Sequence, residues 1–276
     1  MSTPHRRIRI AFSVQPQHAD YADIRRAVVA AEEAGADVVT SWDHFFPLFG
    51  DPDGKHFECW TMLAAWAEAT SQVELAPLVT PPAYRNPDLT ADMARTIDHI
   101  SAKGTGTGRF IFGTGSGWFE RDYDEYGYEF GTVGQRLDLL AGALPVIEDR
   151  WTRLNPPPTR KIPVLIGGGG EKKTLRIVAT HADIWHSFSD AVTLERKLGI
   201  LAEHCRAVGR DSSQIEVSTE ISNRTVADTE AQLALGATLF TIGISGPDYD
   251  LSRVPGWLAW RDEKNAGLPA DDVETA

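Results

Sequence analysis

Short apolar runs rich in β-branched residues alternate with segments of helical periodicity, eight times over, along this 276-residue chain. A short strand followed by a helix cannot pair with its successor as a hairpin. Successive strands must then be parallel and joined by right-handed crossovers. The strands expected are 8–14, 38–41, 73–79, 109–113, 163–166, 183–186, 215–219 and 239–242. The helices expected are 21–34, 57–70, 87–100, 133–150, 172–180, 192–208, 229–235 and a stretch within 254–264. Gly35 stands where the first helix must stop, and Pro87 suits a first helical turn, where a missing N–H costs nothing. Eight such units close a barrel of typically about 250 residues, whereas a doubly wound sheet needs fewer. The expected fold class is α/β, a (β/α)8 TIM barrel, with residues 1–276 forming a single domain.

Two segments are longer than simple connections require. Trp118 to Thr132, rich in aromatic and acidic residues, is expected as an extended loop after the fourth strand. Trp151 to Lys161, carrying Pro156, Pro157 and Pro158, precedes the fifth strand and should lie on the opposite face. The tail beyond Gly267 is expected to fray.

The balance of 39 Asp and Glu against 27 Lys and Arg gives a formal net charge of -12. Such a surface repels phosphate backbones and anionic membranes, which argues against nucleic acid or membrane as the main partner; a small-molecule substrate is the expected partner. Cys59 and Cys205 are far apart and outside any metal-ligand spacing, a pattern that fits a reducing cytosol better than a disulfide framework. No apolar run approaches the ~18 residues of a membrane span. The strand after the polar Met1–Arg7 stretch is too short for the apolar region of a signal peptide. A cytoplasmic location is expected.

Barrels keep their chemistry just past the C-terminal ends of the strands. After the second strand comes Trp42-Asp43-His44-Phe45, and at the third Pro77-Leu78-Val79-Thr80-Pro81-Pro82. After the fourth comes Gly113-Thr114-Gly115-Ser116-Gly117-Trp118, and after the fifth Gly167-Gly168-Gly169-Gly170-Glu171-Lys172-Lys173-Thr174. Glycines between a strand and a helix let backbone N–H groups approach an anion, and the helix N-terminus adds a favourable dipole. The alternative is a flexible turn before a solvated basic helix start. Asp43 and His44 suit a general acid/base pair, a metal half-site, or a satisfied polar pair. The metal reading lacks a second ligand cluster at the other strand ends, so no metal is expected. His186, ending the sixth strand, is a possible second histidine of the cavity or a hydrogen-bonded rim residue. Small residues around Gly115 and Ser116 make room for a flat ring; no helix follows them directly, so a Rossmann fingerprint is a weak reading.

Together these segments resemble the luciferase-like monooxygenase superfamily, specifically its branch using the deazaflavin coenzyme F420. The resemblance rests on Ala30-Ala31-Glu32-Glu33-Ala34-Gly35, the four strand ends above, and Ala182-Asp183-Ile184-Trp185, all in family order. It implies the same barrel, often as a homodimer, with hydride passing between C5 of the deazaflavin and a substrate carbon. It places Asp43 and His44 at the ring or the substrate beside it, and Leu78 to Thr80 under the ring. Gly168, Gly169, Gly170, Lys172 and Thr174 would surround the cofactor phosphate. Alignment of Val79-Thr80-Pro81 puts a non-prolyl cis bond at Pro77–Leu78. Sugar-phosphate dehydrogenases of this branch carry a glutamate where this chain has Trp118, with Glu120 close in sequence, so the substrate stays open.

The expected catalytic residue is His44, because free imidazole titrates near pH ~6.5 and can exchange a proton with a substrate oxygen. Successive side chains of an extended segment alternate, so Asp43 should point away from His44 and serve the cofactor ring or the loop. The expected cofactor-binding set is Asp43, Pro77, Leu78, Thr80, Gly115, Ser116, Gly168, Gly169, Gly170, Lys172 and Thr174. The nearest rival is an FMN-dependent monooxygenase on the same barrel. A non-catalytic cofactor carrier and a metal-dependent hydrolase using Asp43 and His44 are more distant readings.

Overall fold

A computed structural model describes residues 6–268; the first and last residues of the chain lie outside this range, including most of the tail after Gly267. Its strands are β1 Arg9–Val14, β2 Val38–Ser41, β3 Glu74–Pro77, β4 Phe112–Thr114, β5 Val164–Gly167, β6 Ile184–Ser187, β7 Glu216–Glu220 and β8 Ala237–Ile244. Between them lie α1 Tyr21–Ala34, α2 Cys59–Ala69, α3 Pro87–Ala102, α4 Glu120–Tyr126, α5 Val133–Arg153, α6 Thr174–His181, α7 Ala191–Ala207 and α8 Val226–Ala234, with α9 Val254–Asn265 last. The strand order is β3-β2-β1-β8-β7-β6-β5-β4, with parallel pairing along the row. The row closes on itself where β3 meets β4, through the Leu75–Phe110 and Thr80–Thr114 bridges. The (β/α)8 TIM barrel read from the alternation is the fold.

Two apolar layers result from the period-2 alternation of each strand. Ala11, Val38, Ala76, Ile111, Leu165, Ile184 and Leu239 point inward and fill the barrel axis, with Leu78 and Val79 packed on top. Their outward neighbours, among them Ile10, Phe12, Val39, Leu75, Phe112, Ile166, Trp185 and Phe240, pack against the helices in the larger core. Helix ends follow local chemistry. Gly35 closes α1 at φ +100°, and Asn86 caps α3 ahead of Pro87. Thr132 and Gln135 make a reciprocal capping box at α5.

Several element edges differ from the sequence expectation by one to three residues, and three differences bear on the site. The third strand ends at Pro77, not residue 79, because Leu78 and Val79 bulge inward. The fourth begins at Phe112, not Arg109, since 109–111 reach only across to Leu75: its N–H donates to the Arg109 carbonyl and Ile111 N–H to the Leu75 carbonyl, both at 2.8 Å. The extended loop after β4 contains α4, with Gly127 as its left-handed stop. This helix is fixed by tertiary contacts of the buried Asp122, described below, which local periodicity does not reveal.

The N-terminal end of the barrel is plugged by charge. Arg9, opening β1, contacts Glu74 of β3 and Glu216 of β7 at 2.5 Å each, and Arg160 joins Glu74 at 2.7 Å. Removing the central cation leaves two carboxylates facing each other with little water to screen them. Arg9→Met should therefore cost roughly 3 kcal/mol, read as a lower urea midpoint with an unchanged slope; a shift within error would make the cluster a solvated rim.

Candidate active site

At the C-terminal end of the strands two compartments meet. The first, about 270 Å³, is lined by His44, Leu78, Val79, Gly115, Ser116, Gly168 and His186 among others. The second, about 470 Å³, opens toward β1, β7 and β8 and shares His44, Leu78, Trp118 and Phe188 with the first. A larger cavity of about 680 Å³ lies between α5, β5 and α6 with Trp151, Arg160 and Asp183. It holds the segment before β5 and none of the strand C-termini. Barrel chemistry belongs to the other end, so the two joined compartments are the candidate site.

The floor is the segment after β3. Leu78 N–H donates to the Ser41 carbonyl at 2.7 Å, Thr80 N–H to the Gly113 carbonyl at 3.0 Å, and Gly115 N–H to the Thr80 carbonyl at 3.2 Å. Leu78 and Val79 therefore push into the mouth between two anchored ends. The non-prolyl cis bond is Leu78–Val79, one residue beyond the expected Pro77–Leu78. The alignment fixed the segment but not which bond inverts, because the bulge begins only after Pro77 completes its register with Ser41. A Cβ at Gly115 would stand 2.7 Å from Val79 Cγ2, and one at Gly167 3.1 Å from Cγ1. Glycine at both places is what lets Val79 seat between β4 and β5.

His44 is buried, with Nδ1 2.6 Å from Asp122 Oδ2. Asp122, on α4 and wholly buried, also accepts from Tyr84 Oη at 2.8 Å and from Phe45 N–H at 3.0 Å. Burial, reinforced by Asp122, pushes the Tyr84 phenol well above its ordinary value, so it remains a donor. The carboxylate has no proton to give, which assigns the proton to Nδ1 of His44 and leaves Nε2 as an acceptor. That atom has no partner among the described residues, while the ring lines both compartments. Trp118 and Phe119 stand edge-on to the imidazole, with centroids 5.7 and 5.5 Å away.

Asp43 points the other way. Its fully buried carboxylate takes Arg85 Nη1 and Thr80 Oγ1 at 2.5 Å and Trp60 Nε1 at 3.2 Å, and Arg85 continues to Glu58. Asp43, Thr80 and Pro77, expected among the cofactor contacts, thus lie behind the floor and not at the cavity. Asp43 is consumed by Arg85, and Pro77 turns its carbonyl against Gly113. Leu78, Gly115, Ser116 and Gly168 line the first compartment as expected positions.

Gly169 and Gly170 continue outward from it, Lys172 is exposed, and Thr174 opens α6 as a buried residue. The N–H groups of Gly169, Gly170 and Glu171 donate to no acceptor among the described residues. Lys197 of α7 sits directly above Gly169, where an added Cβ would meet its Nζ. Lys173 is engaged by Asp138 at 2.7 Å. Lys197 and Asp122 were not singled out by the sequence, and Val79 entered only as part of the Leu78–Thr80 stretch. Nothing local marks Lys197, and the only sign of Asp122 was the acidic, aromatic loop. Glu120, considered because of its nearness to Trp118, is exposed on the far side of α4. Among the described residues no three His, Cys, Asp or Glu side chains cluster as a metal site. None of the described helices is long and apolar enough to cross a membrane.

Residues 7–266 match the luciferase-like monooxygenase family. The chain belongs to that family. It is 28% identical over 228 residues to an uncharacterised protein of Mycobacterium tuberculosis, covering 74% of this chain and 77% of that one. It is 26% identical over 182 residues to an F420-dependent glucose-6-phosphate dehydrogenase of Amycolatopsis mediterranei, 59% of this chain and 52% of that one. Among solved structures, an F420-dependent secondary alcohol dehydrogenase bound to an F420–acetone adduct superposes with TM-score 0.78 at 18% identity, covering 89% of this chain and 96% of that one. An EDTA monooxygenase from Chelativorans superposes with TM-score 0.64 at 14% identity, covering 83% and 66%. Both likenesses concern the fold.

Within this luciferase-like barrel, His186 is the other titratable group of the first compartment. Its Nδ1 is 2.8 Å from Ser218 Oγ, its Nε2 is buried without a partner among the described residues, and burial pushes its pKa down to about 4. An unfolded histidine protonates first as the pH falls below ~6.5, so this site withdraws stability between there and about 4. The His186 ring should read as neutral in nitrogen-resolved NMR down to pH 5. A protonated ring at pH 6 would mean the compartment is wetter than its walls imply.

Proposed function

We propose that this protein is an oxidoreductase that transfers a hydride between coenzyme F420 and a small organic substrate at the C-terminal mouth of the barrel. The observation that carries this reading is the His44–Asp122 dyad, whose free Nε2 stands at the junction of the two compartments. The curated F420-dependent relative and the F420-bound structure of the same fold lend support.

The residues fit the coenzyme. Leu78 and Val79, with Gly115 and Ser116 beside them, offer a flat apolar bed for a ring. The unpartnered Nε2 of His186 offers it one polar contact. The unpaired N–H groups of Gly169 and Gly170, with Lys197 above and Lys172 nearby, suit its phosphate. Bound coenzyme F420 supplies a hydride acceptor or donor at C5.

His44 handles the accompanying proton. A substrate hydroxyl at Nε2 loses its proton to the imidazole as its carbon is oxidised, and the reverse reaction returns it. Asp122 holds the ring in the receiving orientation and stabilises the imidazolium, with Tyr84 and Phe45 N–H keeping the carboxylate in place. Trp118 and Phe119 pack edge-on against the imidazole and help hold its orientation.

Fluorescence titration with oxidised and reduced F420, and separately with FMN, tests the coenzyme. Saturable binding of F420 and not FMN is expected, and tight binding of FMN alone would replace this reading with a flavin monooxygenase. Gly169→Trp should weaken F420 binding about tenfold or more with the fold intact, since the atoms an added Cβ would meet belong to the flexible end of Lys197. Unchanged affinity would make the glycine run a plain turn. His44→Ala should lower turnover roughly 10²–10⁴-fold with little change in coenzyme affinity; normal turnover on a confirmed substrate would move the proton route elsewhere.

A further inference from the structure

The second compartment has a chemical character of its own. One wall is apolar, made by Trp42, Leu48, Phe49, Trp118 and Phe188, with Phe49, Trp118 and Phe188 largely exposed at the mouth. The facing end carries Ser13, Gln15, Glu220 and Ser222 from β1, β7 and the segment after β7. No lysine or arginine lines it. The two guanidinium groups nearby are turned to main-chain carbonyls. Arg224 donates to Glu220 and Ser189 at 2.9 and 2.8 Å, and Arg253 to Ser222 at 2.8 Å.

Glu220 is held in a defined pose. Ser222 donates to its Oε1 through both Oγ and N–H, the latter at 2.8 Å, and Ser222 Oγ is itself fixed by Gly243 N–H of β8 at 2.5 Å. Both Ser222 bonds fall on one carboxyl oxygen. Oε2 has no partner among the described residues and belongs to a residue lining the compartment. Burial raises the carboxyl pKa against the pull of Ser222 and Arg224. A carboxyl held this way, facing an aromatic wall, gives an acceptor and offers nothing to a phosphate or carboxylate.

We propose that this compartment selects an uncharged substrate with an apolar, ring-sized body and a remote hydroxyl that donates to Glu220 Oε2 while its reacting carbon–oxygen group stands at His44, and that it rejects anionic substrates. The inference rests on the oxidoreductase reading above for the role of His44. The selection itself does not require turnover.

Calorimetric titration of the purified protein, alone and preloaded with F420, with 1-phenylethanol, the isomeric ring-hydroxylated derivatives of it and glucose 6-phosphate tests it. At least one ring-hydroxylated isomer should bind about tenfold tighter than 1-phenylethanol, equivalent to about 1.4 kcal/mol, and glucose 6-phosphate should not bind. Glu220→Met should erase that gap while leaving F420 affinity unchanged, and Glu220→Gln, which keeps an acceptor, should retain part of it. Equal affinities across the aromatic series, no binding of any member, a gap that survives Glu220→Met, or tight binding of glucose 6-phosphate would overturn the proposal. If the gap appears but F420 does not bind, the coenzyme reading fails and the selection stands; if F420 binds and the gap is absent, the reverse holds.

Discussion

The seam between β3 and β4 is the constraint on which the rest of the molecule depends. Elsewhere in the barrel the strands pair in continuous parallel ladders, with one register shift at Val217/Ser218 between β7 and β8; here closure is left to two bridges on either side of Leu78 and Val79. The bulged residues cannot lie in the sheet, so they enter the mouth and become the floor of the cavity. That is possible only because Gly113, Gly115 and Gly167 carry no side chains. A Cβ on Gly113 would collide with the Pro77 carbonyl and one on Gly115 with Val79, while one on Gly167 would crowd Val79 at 3.1 Å. One irregularity thereby closes the barrel and builds the site.

Around this floor the molecule buries several charged groups, and it does so in two separate assemblies. Asp43, Arg85 and Glu58, with Thr80 and Trp60, form one behind the floor, in which each carboxylate meets a cation or two N–H groups. Asp122, Tyr84 and His44 form the other, facing the mouth. Breaking either would leave a charge buried and unpaired, which costs far more than the intact pair contributes. The first assembly has all its partners and is chemically inert. The second leaves one atom, His44 Nε2, without a partner among the described residues, and on the proposed reading this free acceptor is where a substrate proton goes. Adjacent residues in the chain, Asp43 and His44, thus serve opposite ends because an extended backbone sends successive side chains to opposite sides.

The repeating alternation was legible because it is local. Period-2 runs, helical periodicity and Gly35 as a stop each reflect contacts within a few residues, so the count of eight units survives errors at the edges. The four strand ends were legible for a related reason: a barrel directs them all to one mouth. What could not be read depends on separation in sequence. Asp122 meets His44 across 78 residues, and nothing in the acidic stretch around it distinguishes it from Glu120, which faces solvent. Lys197 reaches Gly169 from another helix altogether. Asp43 shows the converse case: its residue type suited the cofactor ring or the loop alike, and only its bonds to Arg85 and Thr80 tie it to the loop. The same holds for the cis bond, which lies where the register of β3 runs out, a detail of pairing and not of composition.

The two compartments draw on different parts of the barrel, and this separates their constraints. The first depends on β3 to β6, where glycines and backbone N–H groups do the shaping, so its geometry is fixed by what is missing from the side chains. The second depends on β1, β7, β8 and exposed aromatics, where side chains do the shaping. Only His44, Leu78, Trp118 and Phe188 serve both. A substitution among the glycines disturbs the floor and so affects whatever lies on it, whereas one at Glu220 or Phe49 changes a wall that the barrel does not need for closure. Fold and ring-sized bed are therefore bound to each other through the β3–β4 seam, while the facing wall is free to vary. That asymmetry is how one architecture can hold a common cofactor bed and present different chemistry opposite it.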